Sequence, residues 1–197
     1  MTESDEYLES DEHLQCRKDE IFALSSIYDE LQLDEDELSG SLIIPVELDN
    51  PILVIYKERD GKVRFLPGLE FKFSTGNGYP ESEPPLIKLS CSWLSDERAE
   101  NIKKELVQAV WESTKELCLF TMIDELSAMA KSLFGMEYLE VDEETLFDEI
   151  TQFAKVQELA QFQQHSYYCS VCLENKKGVD CYKLPRCSHV FCKVSLL

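Results

Sequence analysis

Gly76-Asn77-Gly78-Tyr79-Pro80-Glu81-Ser82-Glu83-Pro84-Pro85 is the stretch from which the architecture of this chain is read. Gly76-Asn77-Gly78 is a turn signal, and the three prolines after it fix φ and remove backbone donors, so a stiff loop divides the extended runs upstream from the helical runs downstream. Upstream, Leu42, Ile44, Val46 and Leu48 alternate with other residues. Beyond Pro51 and the Asp60-Gly61 punctuation, Val63, Phe65, Leu69, Phe71 and Phe73 alternate with Arg64, Glu70, Lys72 and Ser74. A period of two predicts strands of an antiparallel meander with one buried face. Downstream, Leu86 to Leu89 resumes a strand. Ser95 is placed to cap a helix with Asp96 and Glu97 in its first turn and Ala99, Ile102, Leu106 and Val110 as its apolar stripe. A second helix comes next, with Leu119, Met122, Ile123, Leu126, Met129, Ala130 and Leu133 inward and Gly135 at its end.

Towards the N-terminus, Ile21, Leu24, Ile27, Tyr28 and Leu31 recur at three and four, predicting an amphipathic helix from Asp19 to Leu31 that the run Asp34 to Gly40 breaks. Residues 1–14 read as an acidic, disordered tail. One helix, about four strands and two helices make an α+β fold, with helices packed on one face of a sheet. The loop Tyr79, Pro80, Pro84, Pro85 and the phrase Ala23-Leu-Ser-Ser-Ile-Tyr28 resemble an RWD domain, here residues 15–136. That family shares its architecture with ubiquitin-conjugating enzymes and generally lacks their catalytic cysteine. The resemblance implies a protein-protein interaction role and a structural one for the proline loop. Cys91 comes only twelve residues after Tyr79, with no His-Pro-Asn segment before it, which argues against an active conjugating enzyme.

Residues 137–166 are acidic and then periodic at Leu146, Phe147, Ile150, Phe153, Ala154 and Phe162, predicting a connecting helix whose apolar face docks on the domain before it or on the module after it.

That module, residues 167–197, carries Cys169-Ser-Val-Cys172, then Cys187-Ser-His189 and Cys192. A Cys-x-x-Cys pair on a tight turn presents two thiolates at the separation that tetrahedral Zn²⁺ requires, and a second Cys and His cluster supplies further ligands. A redox pair needs neither the Cys-x-His nor the later Cys, and expects a βαβ setting. The order resembles the first five ligands of a RING finger. In that family the ligands alternate between two zinc ions, which implies Cys169, Cys172 and Cys192 at one site and Cys187 and His189 at the other. The sixth ligand is expected at position 195, where this chain has Ser195, so weak or incomplete zinc sites are expected. Cys181 is a spare thiol, available as a substitute ligand.

An RWD domain followed by a RING is similar to the androgen-receptor-associated branch of the RING-between-RING ubiquitin ligases. Phe65-Leu-Pro-Gly-Leu69, Leu89-Ser-Cys-Ser-Trp-Leu-Ser95, Tyr168 to Cys172 and Cys187 to Lys193 also fit that pattern. The resemblance implies a ubiquitin-conjugating enzyme as partner of the full-length family and a separate protein partner for the RWD domain. No position is assignable as the catalytic cysteine, so the expected reading is a ligase truncated within its first RING, or an RWD interaction module without ligase activity.

A net charge of −20 repels phosphate backbones, which argues against nucleic acid as a partner. Residues 1–40 carry fourteen acids against Arg17 and Lys18. With no long apolar run and no signal-peptide pattern, neither a membrane span nor secretion is expected, and the chain reads as cytoplasmic or nuclear. Of its eight cysteines, five stand at metal-like positions in the last 29 residues, while Cys16, Cys91 and Cys118 read as core thiols.

Overall fold

The computed structural model describes residues 11–184, 187 and 189–196; most of the predicted acidic tail lies outside these residues. The fold is α+β. A sheet runs in the order β1 (Gln32–Leu33), β2 (Ser39–Tyr56), β3 (Arg59–Ser74), β4 (Leu86–Ser90), all antiparallel, and β5 (Tyr138–Glu140) joins β2 in parallel. Against it lie α1 (Asp11–Ile27), α2 (Asp96–Val110) and α3 (Leu119–Lys131), and α4 (Glu144–Gln164) comes after β5.

The long β2–β3 hairpin is the backbone of the sheet. Ile44 pairs with Leu69 and Val46 with Leu66, so Pro45 faces Pro67-Gly68 at a bulge. Prolines have no ladder proton to donate and are tolerated at such an unpaired step. Trp93 Nε1 donates to Pro67 O at 2.8 Å and holds the bulge from the side. The bulge also shifts the buried phase: Leu66 is buried, while Phe65, expected inward, is only half-buried.

Asp60-Gly61, expected to punctuate, lies within β3 opposite Ile55 and Val54, and the chain reverses at Lys57-Glu58 instead. Gly61 is required by a close approach rather than a turn. A Cβ there would meet Thr151 Cγ2 of α4 at 2.9 Å.

The α2 stripe of Ala99, Ile102, Leu106 and Val110 is buried, and Ser95 Oγ accepts the Arg98 N–H at 3.3 Å. On α3, Leu119, Met122, Ile123, Leu126 and Ala130 are buried, with Met129 half-buried and Leu133 in the next turn. Gly135 has φ of 76°, which suits a residue without Cβ.

The first helix differs from its expected span. Among the described residues it runs from Asp11 to Ile27, which is 56 % exposed, and Tyr28 and Leu31 reach the core from the turn beyond it. Ser25 and Ser26 hydroxyls both donate to Phe22 O, at 2.8 and 3.1 Å, competing for a carbonyl that the helix would otherwise use.

Segment 137–166 is packed rather than loose. Phe147, Ile150 and Ala154 of α4 belong to the main core together with Leu139 of β5. Arg59, at the tip of the hairpin, forks to Glu144 and Asp148 at 2.7 Å each, and its guanidinium stands 4.6 Å over the Phe147 ring. The expected apolar face of the connecting helix therefore docks on the domain before it, while Phe162 near its C-terminal end stacks on Tyr167 at 4.7 Å. No helix among the described residues is long and apolar enough to cross a membrane.

Candidate metal centre

The last module is two short hairpins. β6 (Ser166–Cys169) pairs with β7 (Glu174–Lys177), and β8 (Cys181–Lys183) pairs with β9 (Val190–Cys192). Between β6 and β7 the chain turns tightly: the Leu173 N–H donates to Cys169 O at 2.8 Å, and Leu173 has φ of 60°. This turn brings Cys172 back over Cys169. β9 delivers Cys192 from the other hairpin, and the sulfurs of Cys169, Cys172 and Cys192 all lie within 4.8 Å of one another. Cys172 and Cys192 sulfurs are 3.7 Å apart, and the Cys192 N–H donates to Cys169 Sγ at 3.4 Å.

These residues fit a zinc ion. Tetrahedral Zn²⁺ with Zn–S near 2.3 Å separates its sulfurs by about 3.8 Å, and a backbone N–H aimed at sulfur favours the thiolate over the thiol. Cys187 and His189 stand apart from this trio, with His189 Nδ1 at 3.2 Å from Cys187 Sγ. Cys181 is buried beside Cys169 and Cys192, in a cluster closed by Phe162, Tyr167, Val190 and Phe191. Burial, then the neighbouring Cys192 and Cys169, push its thiol above the usual range.

The module is seated on the end of α4. The Gly178 N–H donates to His165 O at 2.8 Å, and Gly178 lies so close to Phe162 O that a Cβ would overlap it.

The proline loop is fastened from three helices. Tyr79 is buried and joined to Pro80 by a cis peptide bond. Its hydroxyl accepts the Cys118 N–H at 2.7 Å and donates to the Glu20 carboxylate at 2.9 Å. Trp111 Nε1 donates to Pro80 O at 2.7 Å, and Arg17 Nη1 donates to Thr75 O and Gly76 O at 2.8 and 2.6 Å. Pro85 is buried and Pro84 half-buried. Desolvation, then the Glu20 charge, push the Tyr79 phenol up, and burial pushes the Glu20 carboxyl up against the lowering pull of its bonds to Leu119, Tyr79 and Cys118. Cys118 is raised by burial to about 11, as is Cys91. Four buried or half-buried partners of the loop, namely Arg17, Glu20, Trp111 and Cys118, carry no local sequence signal, because each meets it across at least thirty residues of chain.

A helix, a meander, a fastened Tyr-Pro loop and two C-terminal helices define a ubiquitin-conjugating-enzyme-like α+β fold. The sequence matches the RWD domain family over residues 15–130, and the chain belongs to that family. It is similar to E3 ubiquitin-protein ligase itt1 of Schizosaccharomyces pombe, 32 % identical over 188 residues covering 90 % of this chain and 43 % of the relative. It is also similar to E3 ubiquitin-protein ligase RNF14 of Danio rerio, 23 % identical over 92 % of this chain and 49 % of the relative, and of Homo sapiens, 24 % identical over 95 % and 52 %. The chain thus spans about half the length of the curated relatives it matches.

Proposed function

We propose that this chain is the amino-terminal part of an E3 ubiquitin-protein ligase of the RING-between-RING type. The observation that carries this is the order of parts: an RWD domain, a docked helix and a thiol cluster, aligned along nearly the whole chain with proteins named E3 ubiquitin-protein ligase. The division is 15–136 for the RWD domain, which binds a protein partner; 137–166 for the helix; and 167–197 for a zinc finger of RING type.

Zinc, when bound, would be held by Cys169, Cys172 and Cys192, with Cys187 and His189 as the second pair, and would supply structural cross-linking rather than chemistry. The chain's own residues position the finger: the Gly178–His165 hydrogen bond seats it on α4, and the Phe162–Tyr167 stack closes its apolar side. A completed finger would present the surface that a charged conjugating enzyme requires, and the acceptor cysteine of transfer would stand elsewhere in the ligase. A reducing compartment, cytoplasm or nucleus, keeps these thiols available to metal.

Ser195, at the position of the sixth RING ligand, favours a second reading in which the chain acts as an RWD interaction module without transfer. One experiment tests both. The chain is incubated with activating enzyme, conjugating enzyme, ubiquitin and ATP. In parallel, a chimera carries residues 1–193 in place of the aligned stretch of the S. pombe relative. The ligase reading expects no ubiquitin adduct on the chain alone and transfer by the chimera that is lost on Cys169→Ala. Transfer by the chimera that is indifferent to Cys169 and Cys172 would overturn it, and a reducible ubiquitin adduct on the chain alone would overturn the module reading.

A further inference from the structure

The cluster of Cys169, Cys172 and Cys192 supplies three sulfurs, and tetrahedral zinc in structural sites takes four protein ligands. The RING pattern takes the fourth from position 195, which here is serine. The fold offers another. β8 and β9 pair antiparallel with Cys181 directly opposite Cys192, and residues directly opposite in such a pair project from the same face with Cβ atoms about 4.5–5.5 Å apart. Both side chains are buried, at 5 % and 2 % exposure, in one apolar cluster with Cys169. The sulfur of Cys181 makes only a weak contact with Lys176 O at 3.9 Å and lies outside the 4.8 Å group of the other three, so ligation requires it to turn from that carbonyl towards them.

From this juxtaposition we infer that Cys181 is the fourth ligand of this chain's zinc site, making a four-thiolate centre of Cys169, Cys172, Cys181 and Cys192. The inference rests on the zinc reading above and changes its ligand set. The cross-strand thiol takes the place that the ligand order of the RING gives to residue 195. On binding, each of the four thiols gives its proton to solvent and its sulfur lone pair to the metal, so no oxidant or reductant is involved. Cys187 and His189 remain a separate two-ligand pair outside this centre.

The test is cobalt and zinc titration of the full, reduced, metal-stripped chain. Tetrahedral Co²⁺ reports thiolate number through its sulfur-to-metal charge-transfer intensity and the energy of its visible bands. The first tight equivalent is expected to show a four-thiolate spectrum. Cys181→Ala should lose about one quarter of the charge-transfer intensity, move the visible bands to higher energy and weaken zinc about 100-fold, as befits losing one ligand in four. Cys91→Ala, a thiol outside the module, should change none of these. Adding Ser195→Cys to the Cys181→Ala chain should restore the four-thiolate spectrum, which separates a lost ligand from a collapsed module. A three-thiolate spectrum that Cys181→Ala leaves unaltered would overturn this inference and leave the zinc reading standing. Absence of any tight equivalent would overturn both.

Discussion

The Leu119 N–H donates to Glu20 Oε1 at 2.8 Å, so the first turn of α3 is capped by a side chain of α1, ninety-nine residues earlier in the chain. Cys118, at the N-cap position itself, makes no side-chain cap bond. Glu20→Ala is expected to cost about 1–2 kcal/mol, the range for losing an N-cap, measured by chemical denaturation.

The same residue makes stability depend on pH. Its folded pKa is raised, chiefly by desolvation, so the folded state holds a proton where the unfolded state has lost one. Its contribution is therefore most favourable at low pH and declines as pH rises through the window just above the ordinary glutamate value of about 4.3. Glu20→Gln keeps an acceptor for Leu119 and removes the charge. Its stability relative to wild type should improve from about pH 4.5 towards pH 7; a constant difference would contradict this assignment.

Tyr79→Phe removes the hydroxyl that accepts the Cys118 N–H at 2.7 Å and leaves the Glu20 carboxylate as that N–H's acceptor, an expected loss of about 1 kcal/mol. Because Tyr79 and Glu20 share one network, the double variant should fall short of the sum of the single losses, which a double-mutant cycle reads directly.

Thiol reactivity offers a check on burial. Cys118 and Cys91, both held near 11 by desolvation, should react slowly with a disulfide reagent at about pH 8, whereas Cys16, expected in the core but exposed on α1, should react at once. Equal rates for Cys16 and Cys118 in the folded chain would contradict the placement of α3.

Much of the domain was legible before its structure. The α2 stripe and its Ser95 cap are local signals with a period of 3.6, and burial matches them residue by residue. What local pattern could not carry are pairings across distance. Gly61 reads as a turn until α4 is seen lying against it, and Glu20 reads as one acid among fourteen until Leu119 meets it. At the thiol cluster, spacing relates Cys169 to Cys172, but the juxtaposition of Cys181 and Cys192 depends on strand register, which no spacing rule supplies.

Phe147→Ala, which truncates the largest buried side chain of α4, is expected to cost about 3–5 kcal/mol. In the same vein, a fragment ending at 165 should melt cooperatively at a higher temperature than one ending at 136, which loses β5, α4 and the Arg59 fork. Equal melting temperatures would mean that α4 is not part of the folded unit.

Gly178→Ala places a methyl against Phe162 O. It should release the C-terminal module from α4, seen as faster proteolysis between His165 and Tyr168, while the RWD domain keeps its melting temperature.

The Arg59 fork has a mechanical meaning for this chain. With Glu144 and Asp148 clamped at one end and Gly178 seated at the other, α4 is a strut of 21 residues, about 32 Å long at about 1.5 Å per residue. A strut, unlike a tether, transmits orientation as well as reach. The RWD domain and the C-terminal module are held at one spacing and one dihedral. One residue inserted into α4 would add only about 1.5 Å of length yet swing the C-terminal module about 100° around the helix axis, so the phase of this helix, more than its length, sets which way that module faces from the RWD domain.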